Sequence, residues 1–442
     1  MNGISTRGKL ALAALPQPSA MKTPLPGPDD TLRQVLPNGI TVLARENWAA
    51  PSVVVEGYLV VGNLDEPANL PGLASFTVSM LSRGTEHRTF AEINETIESV
   101  GASIGFSSDR HITNFSTKSL AEDLDLVLEV LADELRAPVF PAPYIERVRG
   151  LRFTALAERE NDTRQMAGRT FRELIYGDHP LGRDMLGTRD SLNAIQRDGL
   201  VEFYRKFYRP QDMVVVVVGA VPAEEAVGKI EAAFGDWQGA RPPRAPLAAL
   251  SPIKDVPKRH VVMPDKTQSD LVLGWQGMRR LDPDYDPARL ANTVLGVFGM
   301  MGRLGANVRE KQGMAYYTYS RLSGDREPGT WVAVAGINPA NVQRAHQAML
   351  DEVKRLQDER VPEDELEDSK RYLTGSVPLQ LETNDGVASL LADIEWHRLG
   401  LDYLERYPSI INSLTAEQVQ HVAQKYFDLN SYVMALAGPN GG

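Results

Sequence analysis

The feature that most constrains this chain is an internal duplication. Three separate stretches of the first half reappear in the second half at nearly equal distances along the chain. The offset is 219 residues for Lys206–Gly219 against Lys425–Gly438, 218 for Asp133-Glu134 against Asp351-Glu352, and 217 for Leu73-Ala74 against Leu290-Ala291. A constant spacing of this kind is typical of one structural unit used twice. The sequence therefore predicts two similar domains.

Each half shows the same order of predicted strands and helices. In the first half, β-branched stretches at 40–44 and 52–61 predict paired strands, and several amphipathic segments predict helices. The uninterrupted apolar run Met213–Val218 is typical of a strand buried on both faces. A comparable order recurs from His260 to Ala437. The predicted fold class is α+β, with two homologous domains, each a largely antiparallel sheet with helices packed on one face.

Changes in composition predict the domain boundaries. We expect a flexible tail at 1–30, a first domain at 31–234, a Pro-rich linker at 235–257 and a second domain at 258–442. The tail contains a short apolar stretch, Leu10–Leu15, after two basic residues. This stretch is at or below the length of a secretory signal core, so a trimmed leader is the alternative to an ordinary tail.

Composition excludes several classes of function. The chain has no cysteine, which excludes disulfides, thiolate zinc sites and cysteine nucleophiles. Its 47 basic and 58 acidic residues give a net charge of −11, so nonspecific binding to nucleic acid is not expected. No apolar run approaches the ~18 residues that a membrane-spanning helix needs. The composition is that of a globular protein, and the acidic balance suits neutral or basic ligands, with solubility alone as the alternative explanation.

Five stretches of the chain together resemble one family, the pitrilysin/insulinase peptidases, which are inverted zinc peptidases. They are LPNGITVLARE, GNLDEP, GLASFTVSMLSRGT, HPLGRDMLGT and RLGANVREKQGMAYYTYS. The resemblance covers Leu36 to Pro439 and agrees with the duplication. It implies that the two domains form half of a clamshell around a peptide chamber.

The zinc motif of that family is degenerate here. Active members carry His-x-x-Glu-His on the first helix, where the two imidazoles hold zinc and the glutamate activates a water. The matching positions are Ser75, Val78 and Ser79, and the third ligand would fall near Ala155 or Leu156. None of these residues is a zinc ligand, and no two of the seven histidines are three or four residues apart. The resemblance implies no metal and no other cofactor in this chain.

A second feature of the family is retained. Its complexes carry an arginine and a tyrosine seven residues apart in the C-terminal domain, and these residues match Arg309 and Tyr316. We predict that Arg309 lies late in a helix ended by Gly313, and that Tyr316 opens the next strand. A guanidinium and a phenol at one cleft would bind a peptide carbonyl as it becomes an oxyanion. Tyr317 and Tyr319 are expected to pack against the sheet, with Tyr319 at the start of a polar turn.

The resemblance implies a division of labour between two chains. This chain would be the non-zinc-binding subunit of a heterodimeric zinc peptidase, and a homologous partner with intact His-x-x-Glu-His would supply zinc. Substrates would be peptides or unfolded polypeptides. Two alternatives are a structural role, as in the respiratory core proteins, and a peptide-binding scaffold without a zinc partner. Exported paired bacterial members imply a periplasmic location, with the cytoplasm as the alternative.

Overall fold

The computed structural model describes residues 25–297 and 302–440, and it contains two β-sheets with helices packed on them. The strands are β1 (Leu32–Val35), β2 (Thr41–Glu46), β3 (Ser52–Leu59), β4 (Ser103–Ser108), β5 (Thr113–Leu120), β6 (Val214–Gly219), β7 (Lys258–Val262), β8 (Ser269–Gln276), β9 (Ala315–Leu322), β10 (Thr330–Ile337) and β11 (Val433–Gly438). The helices are α1 (Leu73–Leu81), α2 (Phe90–Ser99), α3 (Leu124–Arg136), α4 (Ala142–Glu160), α5 (Thr163–Tyr176), α6 (Arg189–Ala194), α7 (Arg197–Phe207), α8 (Ala223–Phe234), α9 (Tyr285–Gly296), α10 (Val342–Asp358), α11 (Glu363–Gln380), α12 (Asn384–His397), α13 (Tyr403–Asn412) and α14 (Ala416–Tyr426). A π-helical segment, Gly305–Lys311, precedes β9. Within 25–297 and 302–440, no helix has the length and apolar character that crossing a membrane requires.

The two sheets repeat one strand order. The first sheet is ordered β1-β2-β6-β3-β5-β4 and the second β7-β11-β8-β10-β9. In each sheet one pair of neighbours is parallel, β2 with β6 and β7 with β11, and the other neighbouring pairs are antiparallel. The predicted α+β class and the two largely antiparallel sheets are therefore confirmed. The matching strand order also confirms the duplication.

The valine run of β6 lies at the centre of the first sheet and is buried on both faces. Every residue from Val214 to Gly219 is buried. Alternate valines pack against Val387 and Leu391 of α12, and α8 packs on the same sheet over β2 and β6. A strand whose side chains are apolar on both faces needs a cover on each side. The sequence predicted helices on one face of each sheet, and in the first sheet α12 lies on the other face as well.

The chain forms two compact units whose boundaries interleave along the sequence. The first unit contains the described residues up to 153 together with 183–246 and 378–405, and the second contains 154–182, 247–377 and the chain from 406 onward. The first unit thus takes α12 from the C-terminal half, and the second takes α5 from the N-terminal half. These two helices hold equivalent places in the order of elements, so the exchange is reciprocal. The boundaries predicted at 31–234 and 258–442 describe the repeat along the chain and stay a prediction for it.

The packing of α5 shows how the second sheet accepts its exchanged helix. Phe171, Ile175 and Ala167 of α5 are buried among residues of β8, β10 and β11. A Cβ placed on Gly274 of β8 would lie 2.3 Å from the ring of Phe171. The absence of a side chain at Gly274 is therefore what admits the aromatic ring. The helix and the strand fit only as a pair.

We expect that neither half of the chain folds alone. A fragment 1–256 lacks α12, so the apolar surface of β3 and β6 that this helix covers would be left in water. The fragment 257–442 lacks α5 in the same way. Each fragment should be insoluble or unfold without cooperativity, whereas the two co-expressed fragments should co-purify in a 1:1 ratio. Size-exclusion chromatography and thermal unfolding by circular dichroism measure both outcomes.

The control separates covalent continuity from packing. A protease site inserted between Ala249 and Leu250 and cut after folding should leave the unfolding temperature nearly unchanged, because that segment has no regular structure. A monomeric 1–256 fragment that unfolds cooperatively would contradict the exchange as a requirement for folding.

A buried carboxyl in α3 predicts a pH dependence of stability. Glu134 is 1% exposed, and its Oε2 has no hydrogen-bond partner among the residues that the structure describes. Burial and the neighbouring Asp133 carboxylate raise the pKa of Glu134 to about 8, and Arg83 acts in the opposite direction. The pKa of Glu134 is higher in the folded state than in the unfolded chain, so the unfolded chain loses this proton first as the pH rises. The stability that the protonated carboxyl contributes is therefore complete below about pH 4.3 and is lost as the pH rises through 8.

We therefore expect Glu134→Gln to flatten the pH dependence. The wild-type free energy of unfolding should fall between pH 5.5 and 8.5 by up to ~1.4 kcal/mol per pH unit from this group, and the variant should lack that part of the fall. Urea unfolding at several pH values measures the difference. Glu129→Gln, at a position where 65% of the side chain is exposed, is the matched control and should follow the wild type. Equal slopes in wild type and Glu134→Gln would contradict the expectation.

Candidate functional site

The degenerate zinc positions lie on one face of α1. The helix begins after Gly72, whose φ of 90° suits a residue without a side chain. Ser75 and Ser79 follow one turn apart, and each hydroxyl already donates to a backbone carbonyl, that of Met185 for Ser75 and that of Ser75 for Ser79. Val78 lies between these serines in the sequence; its side chain is buried and has no ionisable atom. Two hydroxyls and an isopropyl group thus occupy the positions of two imidazoles and a carboxylate.

An arginine from α4 joins the two serines. The Nη1 of Arg152 donates to Ser75 Oγ and its Nη2 donates to Ser79 Oγ, each over 3.0 Å. The guanidinium carbon also lies 5.1 Å from the ring centroid of Phe76. The sequence analysis missed Arg152, because its partners are more than seventy residues away in the chain. The single available signal was a basic residue between two apolar ones, Leu151 and Phe153.

A buried carboxylate at the start of α1 accompanies this arginine. Glu66 is 4% exposed and accepts hydrogen bonds from the amides of Gly72 and Ala74 and from the side chain of Asn63. Burial raises the pKa of Glu66 to about 7, while the amides of Ala74 and Gly72 act to lower it. Burial lowers the pKa of Arg152 to about 10, against the attraction of Glu66. The arginine is therefore charged at neutral pH.

The residues of this site do not fit a zinc ion. A serine hydroxyl that donates to a carbonyl and accepts from a guanidinium has no role left as a metal ligand, and Ala155 and Leu156 have no ligand atom. In the described part of the chain, no three His, Cys, Asp or Glu side chains come together in a way that could hold a metal ion. The cation at this site is the guanidinium of Arg152, which already donates to the hydroxyls of Ser75 and Ser79.

The second predicted pair lies in the second unit, on three successive irregularities of the backbone. Arg309 belongs to the π-helical segment Gly305–Lys311, so it is helical as predicted but in the wider π form. Gly313 follows with φ 61°, and its amide donates to the carbonyl of Arg309 over 3.0 Å. In β9 the register then shifts, because Tyr317 pairs with Gly336 but Ala315 pairs with Ile337. Tyr316 is the extra residue of this bulge.

The bulge and the π-helical segment place both side chains at accessible positions. Tyr316 is 59% exposed, which is unusual for a strand tyrosine. Arg309 is partly exposed, with its Nε 3.7 Å from Glu310 Oε1. Bulges and π-helical turns reorient side chains and are frequent at functional sites. The structure thus places Arg309 and Tyr316 on neighbouring elements of one unit, since the π-helical segment packs against β9.

The other tyrosines of β9 fix the opposite face of the strand. Tyr317 and Tyr319 stack with 6.1 Å between ring centroids, and Arg164 of α5 lies over both rings. The hydroxyl of Tyr317 donates to Asp270, a fully buried carboxylate, and Tyr319 Oη accepts from Arg164 Nη2 over 3.0 Å. The packing role predicted for both tyrosines is confirmed. The expected polar turn at Tyr319 is wrong, because this residue lies in the middle of β9.

A polar contact with α10 holds the segment that carries Arg309. Asn307 Nδ2 donates to Glu352 Oε1 over 2.6 Å, and Gln312 Nε2 donates to Asn307 Oδ1 over 2.8 Å. Glu352 is 6% exposed, so its carboxylate is a buried anchor for the turn. Sequence analysis identified Glu352 only as part of the repeat and missed this role.

Comparisons with known proteins agree with this geometry. Residues 41–189 match the family described as insulinase (peptidase family M16), and residues 194–373 match the peptidase M16 inactive domain. The chain is 29% identical over 401 residues to an uncharacterized zinc protease of Streptomyces coelicolor, which covers 89% of this chain and 86% of that one. It is 28% identical to an uncharacterized zinc protease of Mycobacterium leprae, over 92% of this chain and 91% of the relative.

Solved structures show the same fold. A peptidase M16 inactive domain from Pseudomonas fluorescens superposes with a TM-score of 0.86 at 25% identity, covering 93% of this chain and 98% of that chain. A protease from Helicobacter pylori superposes with a TM-score of 0.87 at 19% identity, covering 94% and 100%. The two family matches follow one another along the chain and cover both halves of the duplication. Its first domain has other residues at the positions of the family's zinc motif. The chain is a member of the insulinase/pitrilysin peptidase family, M16.

Proposed function

We propose that this chain is the non-zinc-binding subunit of a heteromeric zinc peptidase, in which Arg309 and Tyr316 bind and orient the peptide. A partner chain of the same family with intact His-x-x-Glu-His would supply the zinc. The observation that carries this proposal is the contrast between the two units. The metal positions of the first unit are filled by Ser75, Ser79 and the guanidinium of Arg152, whereas Arg309 and Tyr316 are accessible on a specially shaped backbone.

The chemistry of the pair suits a peptide carbonyl. A guanidinium offers several N–H donors in a fixed plane and carries its charge at all physiological pH values. A phenol adds one O–H donor, and both strengthen as the carbonyl oxygen becomes an oxyanion. The partner's zinc would activate the attacking water. Arg309 and Tyr316 would thus stabilise the charge that develops on the substrate.

The position of Tyr316 also supports binding of an extended peptide. The strand β9 is the last strand of the second sheet, so within 25–297 and 302–440 no strand pairs with one side of its backbone. A peptide strand can add to such an edge through main-chain hydrogen bonds, which give affinity with little sequence preference. Tyr316 would then lie beside the bound backbone.

Two alternatives from the sequence predict different behaviour. In a structural subunit, as in the respiratory core proteins, Arg309 and Tyr316 would have no effect on turnover in the complex. A peptide-binding scaffold would bind peptide alone and would activate no partner. We also propose a periplasmic location, which fractionation of the native host would test against the cytoplasm.

We expect peptide cleavage only when this chain is mixed with its partner. The chain alone should show no turnover of an internally quenched peptide, with or without added Zn²⁺, because its first helix lacks the ligands and the base. Mixing with homologous chains from the same organism that carry His-x-x-Glu-His should give activity with one of them. Fluorescence assays across mixing ratios, combined with size-exclusion chromatography, measure activity and stoichiometry together. Turnover by the isolated chain would overturn the proposal.

Substitution of the pair should lower turnover in the assembled complex. We expect Arg309→Ala and Tyr316→Phe each to reduce kcat/KM by about 10²-fold, the usual effect of losing one oxyanion donor. Arg321→Ala and Tyr319→Phe are matched controls on the same strand but on its other face, and they should stay within about threefold of the wild type. Unchanged turnover for Arg309→Ala and Tyr316→Phe in an intact complex would favour the structural alternative.

A further inference from the structure

Arg152 bridges the two positions at which the family motif would hold a metal ion. In that motif two imidazoles one helical turn apart bind the same ion. Here the hydroxyls of Ser75 and Ser79 each accept a hydrogen bond of 3.0 Å from a different terminal nitrogen of Arg152. One cationic group therefore connects both positions, as a metal ion connects two ligands.

The guanidinium places a fixed positive charge at this point. Its residue is 8% exposed, and the side chain lies over the face of Phe76. The buried carboxylate of Glu66 acts on it as the nearby negative charge. A divalent ion among the same groups would meet a like charge in surroundings of low dielectric constant, where repulsion is strong.

We propose that Arg152 takes the place of the metal ion in this chain and that its guanidinium excludes divalent metals from the positions of Ser75 and Ser79. The loss of the imidazoles removes attraction for a metal, and Arg152 adds both repulsion and occupation of the space. Restoring the two histidines is therefore not sufficient to restore metal binding while this arginine is present. This inference concerns the chain by itself and does not depend on a partner subunit.

The test combines restored ligands with a change of charge at one position. The full-length S75H/S79H variant is made with Arg152 unchanged, with R152K and with R152Q, and Zn²⁺ binding is measured at pH 7.5 by equilibrium dialysis and metal analysis. We expect the R152Q combination to bind one equivalent of Zn²⁺, and the other two to bind at least tenfold more weakly. Lysine keeps the charge and glutamine removes it, so the contrast measures the charge rather than the shape.

A second histidine pair serves as the matched control. Lys354 and Asp358 have the same spacing on the exposed side of α10, where they form an ion pair of 2.7 Å. The K354H/D358H pair should bind Zn²⁺ with equal affinity in the Arg152 and R152Q backgrounds. Thermal unfolding with and without Zn²⁺ gives a second readout, because only a bound ligand raises the unfolding temperature. If R152Q does not fold, R152M keeps the side-chain stem over Phe76 without the charge.

Two results would overturn the inference. One is Zn²⁺ binding by S75H/S79H that is as tight with Arg152 as with R152Q. The other is the absence of binding in the folded R152Q or R152M combination while the K354H/D358H control binds. Tighter binding in the neutral combination alone, with an unaffected control pair, would support it.

Discussion

The fold depends on covering both faces of a central apolar strand in each sheet. The residues of β6 are all buried, and the alternation of a strand sends successive side chains to opposite faces. Helices from the same half cover one face, and α12 from the other half covers part of the second. The repeat makes the solution reciprocal, because α5 does the same for the second sheet. The duplication is thus also a mutual dependence, in which each copy completes the core of the other.

The position of α1 in the fold is fixed by contacts that involve no metal ion. The helix α1 is anchored at its start by Glu66, whose carboxylate accepts from Gly72 and Ala74, and by the buried apolar residues of the helix itself. A metal ion is therefore not required to hold α1 in place. Arg152 supplies a cross-link between α1 and α4 through ordinary charged hydrogen bonds. The scaffold persists while the chemistry of its opening helix changes.

In the second unit, an irregular backbone surrounds the accessible side chains of Arg309 and Tyr316. A π-helical turn, a glycine with φ 61° and a β-bulge follow one another between Gly305 and Tyr316. Each departs from the regular geometry that maximises hydrogen bonding, and such departures persist only where the surrounding structure holds them. Asn307 and Glu352 provide that hold on the helical side. Shape maintained at a cost around Arg309 and Tyr316 is what a binding role would require.

The limits of sequence-based prediction for this chain follow from the range of each interaction. The capping box of α2, in which Thr89 and Glu92 bind each other's backbone amides, lies within four residues and was predictable. The valine run predicted a strand buried on both faces but contained no information on which helix covers it, because the cover comes from the other half. Arg152 was not predictable, since its hydrogen bonds cross from α4 to α1.

The π-helical form and the bulge were likewise not predictable, because they arise from how β9 meets β10 and how Asn307 meets Glu352. The family resemblance pointed to Arg309 and Tyr316 as candidate residues, whereas the backbone geometry that presents them depends on contacts distant in sequence. The same holds for the first unit, where a motif comparison shows which ligands are missing but only the structure shows what replaces them. Where the ligands of a motif are missing, the structure shows which group lies at their positions. In this chain that group is the guanidinium of Arg152.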